Sequence, residues 1–177
     1  MTAQDPDRIR YRQRVYDLFS EPLEDYFTEL HPKPESFAGL CSACWRGYMA
    51  RWSIRKGKLY LDRIQPYLDC NAREDESRDD AYRRYLAEIF PNSTAPVFAD
   101  WFSGELVLVT GKVVEYVHLP YATAYEKEIV IQIQEGKLIG QPVITTHARP
   151  DDSTDAVDDD PCSWSQPTGG TTDRLAD

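Results

Sequence analysis

Cys41-Ser-Ala-Cys44 is where residue type and spacing point most directly at metal chemistry, because two intervening residues let a turn present two thiolates to one zinc ion. A tetrahedral site needs two more ligands. Cys70 follows 26 residues on, Cys162 lies far toward the C-terminus, and His31, His118 and His147 stand apart from one another. No metal is therefore expected, and Cys44 beside Trp45 reads as a small buried apolar residue. Redox work by the pair asks for a thioredoxin-like βαβ setting, which this hairpin-rich chain lacks.

His118 is the histidine inside a predicted strand, with Glu115, Tyr116, Tyr121, Tyr125 and Glu126 close by and Asp100 and Glu105 upstream. A carboxylate can set an imidazole's tautomer and raise its basicity. His118, Glu115 and Asp100 thus form the candidate catalytic set, in a cleft with Tyr125. The plainer reading is a hydrogen-bonded, half-buried strand histidine. No GxSxG, HExxH, P-loop or GxGxxG pattern accompanies it, and no cofactor is expected.

The aromatic residues carry the binding argument. Trp, Tyr and Arg are enriched where interfaces concentrate their energy. Two adjacent bulky side chains on one strand leave opposite faces, so one of Trp101 and Phe102 is expected to face a groove or a partner. Arg46, Trp101, Glu105, His118, Tyr121 and Tyr125 are expected to form one contiguous binding site.

These residues need elements to hold them. Residues 7 to 19 are expected to form a first helix ended by Pro22, and HPKP at 31 to 34 an extended loop. RGYMARWSI at 46 to 54 places Tyr48, Ala50, Trp52 and Ile54 on one face of a strand. Arg55-Lys56-Gly57-Lys58 turns the chain and KLYLDRI returns antiparallel. Ala81, Tyr82, Tyr85, Leu86, Ile89 and Phe90 recur at helical spacing, with Ser77 and Asp80 resembling a capping box and Pro91 as terminator. A meander follows, with strands near 105 to 109, 112 to 119, 126 to 134 and 137 to 144 and tight turns at TGK and EGK. Ile129, Ile131 and Ile133 face its core. The expected fold is α+β: a twisted antiparallel sheet of about six strands, β-meander plus hairpin, packed with two helices.

The chain has 177 residues, 41% of them hydrophobic, and a formal charge of −10. Residues 1 to 147 are expected to form one domain and 148 to 177 a disordered acidic tail, since eight Asp and two Arg crowd that tail. The remainder is mildly acidic at −4. Acidity opposes nucleic-acid binding, which depends on cations against phosphates. Arg8, Arg10, Arg12 and Arg14 form the one basic cluster, read as a solvated helix face. No apolar run of bilayer length and no leader pattern are present, so no membrane partner and a cytoplasmic location are expected.

ACWRGYMARWSIRKGKLYL, VFADWFSGELVLVTGK and EYVHLPYATAYEKEIVIQIQEGKL together resemble a family of small bacterial proteins with a W-x-G-Y and GKLYL hairpin and an FADWFSGEL, EYVH and YEK block. The resemblance covers about half the chain, matches Trp45, Arg46, Gly47, Tyr48, Asp100, Trp101, Gly104, Glu105, Tyr116, His118 and Tyr125, and has no cysteine as its usual residue at position 41. It implies a shared fold and a bacterial cytoplasmic origin, and it carries over no catalytic residue. The expected function is a non-enzymatic binding protein of the immunity or antitoxin kind, masking a basic toxin. The alternative is a small enzyme or ligand-binding domain with a cleft around His118.

Overall fold

The computed structural model describes residues 3–38, 41–68 and 78–147. The acidic segment 148 to 177, Cys70, Cys162 and Ser77 of the expected capping box lie outside the described residues. Among the described residues eight strands and one α-helix follow in the order β1 (Asp7–Tyr11), β2 (Arg14–Leu18), β3 (Tyr48–Arg55), β4 (Lys58–Pro66), α1 (Arg78–Ile89), β5 (Val97–Phe98), β6 (Gly104–Glu115), β7 (Ala124–Gln134) and β8 (Lys137–Thr146). Two short 3-10 turns, at Glu24–Tyr26 and Glu35–Phe37, punctuate the link from β2 to β3.

The strands form one mixed sheet ordered β3-β1-β2-β6-β7-β8-β4-β5, and β3 also pairs with β4. The pairing therefore returns on itself, with β5 appended to β4. Every neighbouring pair is antiparallel except β1 and β3, which run parallel. The closing contact is narrow: β4 meets β8 at Lys58 and Lys137, and at Tyr60 and Leu61 the same edge of β4 pairs with β5 instead.

This corrects the expected six antiparallel strands and two helices. The N-terminal helix is a hairpin. Residues Ile9 and Tyr11 of β1 and Tyr16 and Leu18 of β2 are buried in alternation with exposed neighbours, the period of a strand. Arg12 and Gln13 make its two-residue turn at φ 46° and 65°, the left-handed geometry that matches strand twist in tight hairpins. The alternating arginines, read as one helix face, are instead the solvent side of a strand and its turn. The TGK turn is also absent: β6 runs unbroken through it, and Gly111, at φ 94°, sits where the register slips between Thr110 and Val113. A side chain there would strike Glu126, so glycine suits a bulge rather than a turn.

Other expectations match the fold. The β3–β4 hairpin turns at Lys56-Gly57, with Tyr48, Ala50 and Trp52 buried. Glu135-Gly136 turns β7 into β8, and Ile129, Ile131 and Ile133 join the core. The helix α1 lies against β4 and buries Tyr85, Leu86 and Ile89, with Phe90 just beyond. Each such side chain contributes roughly 1.5–3 kcal/mol on burial.

Candidate functional site

Asp7, the first residue of β1, points inward like Ile9 and Tyr11. Arg46 comes from the turn preceding β3, where Gly47 adopts φ 77°. Their side chains are each 1% exposed and meet at 2.9 Å. Asp7 Oδ1 also accepts the Ala50 N–H at 2.8 Å, and Oδ2 accepts the Trp52 indole N–H at 3.1 Å. Arg46 Nη2 donates to the Asp5 carbonyl at 2.6 Å, and Nη1 donates to the Tyr121 hydroxyl at 2.8 Å. That hydroxyl donates onward to Glu21 Oε1 at 2.7 Å.

Among the described residues Arg46 Nε has no hydrogen-bond partner at this centre, and the Tyr48 hydroxyl lies beside the Glu24 carboxylate. The Tyr48 ring stacks near the Arg46 guanidinium at 5.6 Å, with Lys33 Nζ also over it at 5.5 Å. Lys33 grips Glu24 at 2.8 Å and reaches the Arg46 carbonyl at 3.3 Å. Burial pushes the Asp7 carboxyl up against the opposing pull of Arg46. Burial also works against the Arg46 cation, but Asp7 foremost, then Tyr121, holds its pKa above the ordinary value. The Tyr121 hydroxyl is raised by burial, pulled back by Arg46 and raised again by its bond to Glu21. An arginine with both terminal nitrogens engaged by an ion pair and hydrogen bonds is not a free acid or base. Its chemistry is that of a clamp tying β1, β3 and the connection at 116 to 123 together.

Of the expected binding set, Arg46 and Tyr121 touch, and Tyr125 joins them through Phe19, whose ring lies 5.2 Å from Tyr121 and 5.6 Å from Tyr125. Trp101 is elsewhere. It precedes β6 rather than sharing a strand with Phe102, donates its indole N–H to the Pro22 carbonyl at 3.0 Å and packs on Tyr26 and Phe90, while Phe102 is buried. Glu105 accepts from Gln132 at 2.6 Å on the exposed face of β6 and β7. His118 lies in the connection after β6, not in a strand, and is exposed, not half-buried. Its Nδ1 faces the Tyr116 hydroxyl at 3.1 Å. Glu115 and Asp100 are exposed as well.

Cys41 and Cys44 are free thiols, Cys44 buried, with its Sγ 3.2 Å from the Tyr48 carbonyl. Among the described residues no group of three or more His, Cys, Asp or Glu side chains is arranged to hold a metal. Among them, too, no helix is long and apolar enough to cross a membrane.

Sequence reasoning did not find Asp7, Phe19 or Glu21. The period-two run Asp7, Ile9, Tyr11 was the available signal for Asp7, since it shares the inward side of β1. Nothing local marks Glu21, which Tyr121 meets across a separation of 100 residues.

A second feature is the open flank of β8. Its pairing with β7 runs from Lys127 with Thr146 to Gln134 with Lys137. Beyond Lys137 its other edge has no strand among the described residues, and Ile139, Val143 and Ile144 are 45%, 63% and 53% exposed. Ile144 aligns with Ile129, on the side that faces the core elsewhere, and is uncovered because β5 has taken the edge of β4 that β8 leaves.

Compared with known proteins, the chain matches no protein family, no curated protein and no solved structure.

Proposed function

We propose that this chain is a cytoplasmic, non-enzymatic binding protein that takes an extended segment of a basic partner protein along the free edge of β8, masking it as an immunity or antitoxin protein masks a toxin. The supporting observation is an edge that no strand among the described residues pairs beyond Lys137, carrying Val143 and Ile144 exposed on its two faces. An open edge offers its N–H and C=O groups to an incoming strand, and alternate apolar side chains add contact area. Gly140 and Pro142 interrupt the ladder upstream, so the docking stretch begins at Val143. Glu128, opposite Thr145 on β7, and the net charge of −10 favour Lys and Arg in the partner and speed its approach.

The test is calorimetric titration with the product of the adjacent gene, since a masking protein and its target are made together. Val143→Lys and Ile144→Lys each place a cation and remove apolar contact at the edge, and each should weaken binding by about tenfold or more. Melting temperatures should stay nearly unchanged, because neither side chain is buried. Equal affinity for wild type and both variants would refute the edge as the recognition surface.

A further inference from the structure

Strand alternation along β1 turns Arg8 and Arg10 outward. The register then sets Arg8 opposite Arg51 on β3, and Arg51 opposite Arg63 on β4. Adjacent strands lie about 4.8 Å apart, so three guanidinium side chains spring from backbone positions spanning about 10 Å. Arg10, one pleat along β1, joins them. All four line a groove of about 440 Å³, and Asp62 is the one carboxylate among its lining residues.

Like charges directly opposite in a sheet oppose pairing, and here they concentrate in a chain whose net charge is −10. Nearby carboxylates cover only part of the row. Asp17 holds Arg8 at 3.0 Å and Asp79 holds Arg63 at 3.2 Å. Asp62 is committed to Arg55 at 2.6 Å and to the Ser53 hydroxyl at 3.0 Å. Arg10 and Arg51 have no ion-pair partner among the described residues.

We propose that this groove binds a small molecule through a phosphoryl or pyrophosphoryl group, with Arg10 and Arg51 as principal contacts and Arg8 and Arg63 flanking. A guanidinium offers parallel N–H donors that match phosphate oxygens in a bidentate fork. Several forks around one groove exceed what a single carboxylate can use, whereas a polyanion with oxygens on every side engages them together. The volume falls in the range of small-ligand sites. The groove is lined from β1, β2, β3 and β4, with no residue of β8, so the two proposals stand or fall separately.

Titration of the full chain with sodium pyrophosphate at low salt tests the assignment. Saturable one-to-one binding is expected, weakened about tenfold or more by Arg51→Gln and by Arg10→Gln, each of which removes a charge-assisted contact. Arg51→Lys should also weaken it, because the charge stays and the fork is lost. Lys137→Gln, outside the groove, should leave it unchanged, and the melting temperature of Arg51→Gln should equal or exceed that of the wild type. No saturable binding, or binding that both glutamine variants leave intact, would overturn the proposal. Citrate binding as tightly as pyrophosphate would overturn the phosphoryl assignment.

Discussion

The hydroxyl of Tyr121 lies between Arg46 and Glu21, accepting from the first at 2.8 Å and donating to the second at 2.7 Å. A loop residue thereby completes the coordination of a buried charge that belongs to the turn before β3. This phenol and the ring contact of Tyr121 with Phe19 tie the connection after β6 to the buried charge and to the chain that follows β2.

Removing the Tyr121 hydroxyl should therefore be felt in stability. Tyr121→Phe leaves Arg46 Nη1 without its closest acceptor and should cost about 1.5–3 kcal/mol, the range for hydrogen bonds to charged groups. Tyr125→Phe should cost less than about 0.5 kcal/mol, since the ring keeps its contact with Phe19 and its hydroxyl makes no hydrogen bond among the described residues. Urea unfolding of both variants checks the contrast.

The Asp7 and Arg46 pair should be strongly coupled. Arg46→Met strands a buried carboxylate and should cost about 3–5 kcal/mol. Adding Asp7→Asn to that variant should recover about 1 kcal/mol or more at neutral pH, since it removes the orphan charge and keeps an oxygen for Ala50 or Trp52. A pH series of Arg46→Met gives a second reading. Burial already raises the Asp7 carboxyl. A folded pKa above the unfolded one means that the contribution is whole below about pH 4 and is lost as pH rises through the folded value. Stability of Arg46→Met should fall from pH 4 upward, and Asp7→Asn should flatten that fall.

Tyrosine ionisation offers an independent check. Tyr67 donates to Asp5 at 2.5 Å, and that bond, ahead of a smaller burial effect, pushes its pKa up to about 12. The sign is that of a raised group: its stabilisation is intact below about pH 10 and disappears between there and pH 12. In the difference between wild-type and Asp5→Asn phenolate absorbance, one tyrosine's step should move from about pH 12 back toward pH 10.

The first hairpin carries a correctable local cost. Arg12 and Gln13 both hold positive φ, where Asn and Gly are at ease and long side chains are not. Arg12→Asn with Gln13→Gly should raise stability by about 0.5–1 kcal/mol, measured by the shift in urea midpoint.

That turn also explains where the sequence misled. An Arg-Gln dipeptide gives no turn signal, so residues 7 to 19 read as one continuous element and the helical frame absorbed arginines that alternate with period two. Where turn chemistry is explicit, as at Lys56-Gly57 and Glu135-Gly136, the strands on either side were legible. Gly111 misled in the opposite sense, because glycine serves a bulge as well as a turn and only the close approach of Glu126 distinguishes them. Of the residues expected to lie together, Arg46, Tyr121 and Tyr125 do so, the last through Phe19. Trp101, Glu105 and His118 went elsewhere because the pairing of β6 with β7 sends the two ends of β6 in opposite directions, with Trp101 and Glu105 at one and His118 beyond the other. Such separations follow from long-range register, which local patterning does not encode.

Hydrogen exchange of the β8 amides in the presence of the adjacent gene's product tests the central claim most directly. The account predicts that the amides of Ile144 and Thr146, which alternate with those bonded to β7 and so point to the open edge, slow by about tenfold or more on complex formation as they gain strand partners, while those of β3 and β4 stay unchanged. A stable complex in which these β8 amides exchange at their free rate would contradict it.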